Sequence, residues 1–128
     1  MSTNNLDRQC AEYGYRIAVE VHQAIGKGAE NHITKSLGVL QEDGVYAFFL
    51  YQESRGKSEK PGTDQLKALA AELLNKAKIE SFAPVSDPLE AIRKENGLAA
   101  DLDNLLLAKQ LLEQALIYAR YHAKALEG

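Results

Sequence analysis

The stretch Asn104 to Glu127, NLLLAKQLLEQALIYARYHAKALE, contains neither glycine nor proline and consists almost entirely of good helix formers. At ~1.5 Å per residue it predicts one helix about 35 Å long. At ~100° per residue, Lys109, Glu113, Arg120, Lys124 and Glu127 fall within one sector of roughly 60°. The remaining circumference carries Leu105, Ala108, Leu111, Leu112, Ala115, Leu116, Tyr118, Ala119, Ala125 and Leu126. So narrow a polar stripe predicts a central pillar with neighbours on most sides. The rest of the chain must supply those neighbours.

A chain of 128 residues with 45% hydrophobic content can bury one core, so residues 1–128 are expected to form a single helical domain. Its formal net charge of -3 gives no bulk attraction to nucleic acid, so any RNA contact must come from a local basic patch. Cys10 is the single cysteine, which excludes an intrachain disulfide and fits a reducing compartment. There is no apolar run of the ~18 residues that a membrane span needs, and the N-terminus lacks a signal peptide's charged and apolar regions. A cytoplasmic protein without a membrane partner is expected.

Ser2 to Asn5 offer N-cap residues for a first helix from about Leu6 to Ile25, stopped by Gly26-Lys-Gly28. Leu6, Cys10, Tyr13, Ile17, Val21 and Ala24 form its core stripe. Tyr15, Val19 and His22 stack on the other face, as either a second buried flank or a partner surface. A second helix spans about Ala29 to Gln41, using Ile33, Leu37 and Leu40, with Gly44 suited to ending it. Val45 to Tyr51 fits strand or buried helix. With no second strand candidate to pair with, it is read as a third helix, Gly44 to Ser54, almost wholly buried. Arg55 to Gly62 is a polar, Gly/Pro-punctuated loop.

Thr63 is expected to cap a fourth helix reaching about Lys78, with Leu66, Leu69, Ala70, Leu73 and Ala77 inward. After an extended connection from Phe82 to Ser86, Asp87-Pro88 signals a short fifth helix ending at Gly97. The pillar then begins near Ala99 or Ala100. The fold expected is all-α: a compact bundle of about five to six helices around a long C-terminal helix.

Chemistry-bearing patterns are sparse. His22, His32 and His122 lie on three different helices, with no HxxxH, CxxC or ExxH pair, so neither a metal nor another cofactor is expected. Cys10 lies in a core stripe, where cysteine behaves as a small hydrophobe. Gly26-Lys-Gly28 and Gly56-Lys-Ser58 lack the phosphate-loop spacing and a preceding strand. Asp101 and Asp103 suit the positive end of the pillar's dipole. No enzyme is read here. The basic residues that remain are Arg55, Lys57 and Lys60 on the loop, and Arg120 and Lys124 one turn apart on the pillar, near Glu113 and Glu127.

Three stretches carry a resemblance: Glu12-Tyr-Gly-Tyr-Arg-Ile-Ala18, Ser36-Leu-Gly-Val-Leu-Gln-Glu-Asp-Gly-Val-Tyr-Ala-Phe-Phe-Leu50 and Ala115-Leu-Ile-Tyr-Ala-Arg-Tyr-His-Ala-Lys-Ala125. In order and spacing, from about residue 10 to 126, they resemble the small helical (fifth) subunit of the type III-B CRISPR effector, the Cmr complex. The chain departs from that pattern at Leu37-Gly38, where the family often has proline. It departs again at Tyr118 and Ala119-Arg120, where the family often has tryptophan and a basic pair. The type III-A (Csm) small subunit is a related helical competitor.

The resemblance implies a non-catalytic subunit, serving antiviral defence, whose copies stack beside the guide-RNA backbone of the effector. Its partners would be neighbouring copies of itself, the guide-backbone subunits, the large nuclease-polymerase subunit and the guide RNA/target RNA duplex. Arg16, Arg120 and Lys124, with His122, would contact RNA phosphates, and Tyr15, Val19 and His22 would form a protein interface. The competing class is an RNA-independent helical adaptor docking through that last face.

Overall fold

The computed structural model describes residues 3–77, 79, 87–93 and 101–127, with side chains from Leu6 onward. Among these, six α-helices follow one another: α1 (Thr3–Ile25), α2 (Ala29–Asp43), α3 (Val45–Glu53), α4 (Lys60–Lys76), α5 (Pro88–Arg93) and α6 (Leu102–Glu127). A single 3-10 turn, Gly26–Gly28, links α1 to α2. The all-α bundle around a long C-terminal helix is therefore present. α1 already spans Thr3, so Thr3, Asn4 and Asn5 lie inside it and do not cap a helix starting at Leu6, and α6 starts at Leu102, where the Asp101 carboxylate caps it, and not at Ala99 or Ala100. The expected cap at Ser2, the end at Lys78, the connection 82–86 and the stop at Gly97 lie outside the described residues.

α1 and α6 form the most extensive helix pair, α4 covers the other side of α1, and α2 packs along α6. Small residues allow the first contact. A side-chain carbon added to Gly14 would stand 2.6 Å from the Tyr118 Cβ and 2.7 Å from the Ala115 carbonyl oxygen. Ala108, Ala115, Ala119 and Ala123 line the buried side of α6, so the backbones approach with little side-chain bulk between them. Cys10 lies in the same seam, its thiol on the Leu111 carbonyl at 3.5 Å, and burial pushes that thiol up to about 11. It is a buried packing residue.

The pillar is more open than its composition suggests. Its core face is Ala108, Leu111, Leu112, Ala115, Leu116, Ala119 and Ala123, whereas Leu102, Leu106, Tyr121 and Leu126 are exposed. Counting apolar residues overestimated its coverage, because neighbours pack against only part of the circumference. On α1, Ala24 is exposed and Ile25 packs instead.

The ambiguous Val45–Tyr51 stretch is helical. Gly44, at φ +97°, ends α2 by donating its N–H to Leu40, and its own carbonyl accepts the Phe48 N–H, so α3 starts with no linker. α3 buries Val45, Phe48, Phe49 and Gln52, while Leu50 is 49% exposed, so the helix is only half covered. α4 begins earlier than expected. Pro61 lies in its first turn, where no amide hydrogen is needed, and Gly62 packs against Ile25. Thr63 is thus not a cap; its hydroxyl donates back to the Lys60 carbonyl.

A polar group buried between α2 and α3 has a determined orientation. The Gln52 amide nitrogen donates to Ser36 Oγ at 2.9 Å and to the Phe48 carbonyl at 3.4 Å. Its oxygen therefore faces His32 Nε2, at 2.9 Å, which must carry the ring proton. Nδ1 is left buried without a hydrogen-bond partner, 3.8 Å from the Glu59 carboxylate. Burial first, against the opposing effects of Gln52 and Glu59, holds His32 below the ordinary imidazole range.

Two outcomes follow. Gly14→Ala should lower unfolding free energy by about 1–3 kcal/mol, because the methyl group meets backbone as well as a side chain; a urea midpoint equal to wild type would contradict the close approach. For His32, the unfolded chain takes up a proton first as pH falls below the ordinary value of about 6.5, so stability is greatest above that pH and declines below it. Urea titrations at several pH values should show this slope in wild type and lose much of it in His32→Asn; equal slopes would contradict it.

Candidate nucleic-acid interface

Asp101 opens α6 by accepting the Asn104 N–H at 3.1 Å, and the helix then runs uninterrupted to Glu127. Its charged stripe lies along α2, antiparallel to it. Near one end of α2, Gln41 donates its amide to Glu113 at 2.9 Å and its carbonyl accepts Lys109 Nζ at 3.2 Å. At the other end, the Glu127 carboxylate accepts the Glu30 N–H at 3.0 Å, satisfying one of the free amides in the first turn of α2. Both carboxylates that could neutralise the pillar's basic pair are thus engaged with α2.

Arg120 and Lys124 stand between those two contacts in sequence, one turn apart. Among the described residues, no carboxylate lies within 4 Å of either. Arg120 rests over the ring of Tyr121, 5.5 Å from its centroid, and Tyr121 is 63% exposed. Of the loop cations, Lys57 likewise has no carboxylate within 4 Å among the described residues, and the other two differ. Arg55 bonds Glu59 at 3.1 Å and lies over the Tyr51 ring, and Lys60 pairs with Asp64 at 3.5 Å.

His122 does not share this face. Two residues beyond Arg120 it sits roughly 160° around the helix, against α1, with its ring edge-to-face on Tyr15 at 5.4 Å. Tyr15 is 53% exposed, but Val19 and His22 are half-buried. His22 turns toward the end of α6, its Nδ1 3.9 Å from the Glu127 carboxylate. The aromatic face of α1 is therefore partly occupied by α6, and Tyr15 is its exposed member.

Arg16 lies on the opposite flank, against α4. It bonds Glu72 at 3.0 Å, reaches Glu20 at 4.0 Å and covers the Tyr13 ring. The Tyr13 hydroxyl donates to Glu72 at 2.5 Å. Burial and then the Glu72 carboxylate push Tyr13 up to about 12, while the Tyr13 hydroxyl, followed by Arg16, holds Glu72 below the usual carboxylate range. The structure does not gather Arg16 with Arg120 and Lys124. Glu72 was missed in the sequence; the available signal was Tyr13 at a core position, since a buried phenol needs an acceptor.

Among the described residues no three His, Cys, Asp or Glu side chains converge as a metal-holding group. No helix among them is long and apolar enough to cross a membrane. No family model, curated protein or solved structure gives a significant match to this chain.

If Glu127 serves α2 and not the basic pair, Glu127→Ala should cost about 0.5–1 kcal/mol. A double-mutant cycle with Arg120→Ala should then give a coupling energy near zero. Coupling well above the usual ~0.5 kcal/mol scatter would mean that Glu127 neutralises Arg120 after all.

Proposed function

We propose that this chain is a non-catalytic small subunit of a type III-B CRISPR effector, holding target RNA by its phosphates. The observation that carries the reading is the pair Arg120 and Lys124, with no carboxylate within 4 Å among the described residues and beside two carboxylates already engaged with α2. A phosphate-tracking surface needs only a few such groups, and mild overall acidity does not oppose it. The sequence resemblance supplies the assembly. Stacked copies beside the guide backbone would present α6 along the RNA groove, with Tyr15 the exposed aromatic anchor toward a neighbouring subunit. Arg16, already paired with Glu72, would contribute from a separate flank.

The test is target-RNA binding by effector assembled with wild-type subunit or with Arg120→Ala/Lys124→Ala, over a salt series. The double variant should bind more weakly across unrelated sequences, each lost contact lowering the salt slope by roughly 0.7–0.9. Unchanged slope and affinity in an intact assembly would make these residues a solvated face.

A further inference from the structure

The buried His32 ring meets an acceptor at each of its nitrogens. Gln52 takes the Nε2 proton at 2.9 Å, in an orientation fixed by the amide's own donations to Ser36 and Phe48. Nδ1 is sealed from solvent with its lone pair unpartnered, and Oε2 of Glu59 stands 3.8 Å away. Two acceptors therefore oppose each other, an arrangement that a proton on Nδ1 converts into a donor–acceptor pair. Glu59 is held from its other side, where Oε1 accepts Nε of Arg55 at 3.2 Å and Nη2 at 3.1 Å. It joins the α3–α4 turn to α4, its carbonyl accepting the Thr63 N–H at 2.9 Å. The turn is exposed at Gly56, Lys57 and Ser58, and the Glu59 N–H closes it on the Gly56 carbonyl at 3.1 Å.

With Nε2–H kept by Gln52, the ring gains a proton only at Nδ1, which then donates to Glu59 Oε2. A charge-assisted bond of ~2.8 Å requires the two groups to close by about 1 Å. The His32 side chain is 1% exposed and that of Glu59 35%, so the carboxylate and its turn are the side that moves. One carboxylate then bridges two cations, Arg55 and His32, both of which lie against the Tyr51 ring. Of the charges acting on the His32 ring, Glu59 favours the added proton, and Arg55 and Lys35 oppose it; Tyr51 is the titratable group stacked on it. We propose that His32 and Glu59 form a proton-operated latch that fastens the α3–α4 turn, residues 54–59, to α2 in acid and loosens it at neutral pH. Because burial holds the ring below the ordinary imidazole range, closure requires a pH below about 6.5. Global stability still declines in acid, since burial of the charge outweighs what the latch returns; the local signature is a tighter turn. The latch is independent of the RNA-contacting reading above.

The experiment is nuclear magnetic resonance of the purified full chain, labelled with nitrogen-15, from about pH 8 down to about pH 5, a range that spans the ordinary imidazole titration. At the alkaline end the His32 ring should be the Nε2–H tautomer, and Nδ1 should take up a proton as the pH falls. Along the same titration curve the heteronuclear NOE of the Gly56, Lys57 and Ser58 amides should rise, reporting loss of picosecond-to-nanosecond motion. Glu59→Ala removes the acceptor from a part-exposed position, and circular dichroism verifies that the fold is kept. It should abolish the pH dependence of those NOEs, whatever it does to their level. Glu59→Gln, of the same shape but uncharged, should lower the His32 midpoint. Five results overturn the latch: an Nδ1–H tautomer already present at the alkaline end, NOEs that stay level or fall as His32 titrates, an equal rise in Glu59→Ala, an unchanged midpoint in Glu59→Gln, or unfolding of the chain before His32 takes up its proton.

Discussion

The close approach of α1 and α6 at Gly14 is the constraint on which the rest of the bundle depends. Without a side chain there, and with alanines on the facing side of α6, the two longest helices come together along their backbones. That contact places Cys10 on the Leu111 carbonyl and Tyr15 on the His122 ring. It also sets the flanks on which α4 and α2 pack: α4 on α1, and α2 on α6. A wider separation would expose the alanine face, which has too little bulk to fill a gap.

The electrostatic arrangement follows from the same packing. Because α2 runs antiparallel to α6, the start of α2 meets Glu127 and its end meets the Lys109–Glu113 turn. The acidic members of the pillar's stripe are committed to backbone and amide donors, and among the described residues no carboxylate stands within 4 Å of the basic pair between them. On the other flank the order is reversed: there the cation Arg16 is the group held, by Glu72, which also accepts from Tyr13. A locally basic turn on α6 thus arises on a chain of net charge -3 by pairing of the neighbouring carboxylates.

Much of the fold was legible in the sequence. Apolar periodicity located α1, α2 and α4, and the absence of a pairing partner decided for helix at Val45–Tyr51. Periodicity does not report how many neighbours a helix has, so the coverage of α6 and α3 was overestimated. Thr63 looked like a cap because the signal for an earlier start, Pro61, sits in a stretch rich in loop residues. The candidate sites were only partly legible. That Arg120 and Lys124 share a face follows from their spacing; that Glu113 and Glu127 turn to α2 depends on contacts across the bundle. The separation of Arg16 from Arg120 likewise depends on helix pairing, which a single sequence does not encode in its periodicity.

The proposed function requires the last turns of α6 to lie against RNA in an assembled effector. Ultraviolet cross-linking of the purified assembly, followed by mass spectrometry of the RNA-bound peptides, tests it directly. RNA adducts should be recovered on the segment containing Arg120, Tyr121 and Lys124, with Tyr121 available as the photoreactive ring. An intact assembly containing this chain and target RNA, with adducts on other subunits and none on that segment, would contradict the account.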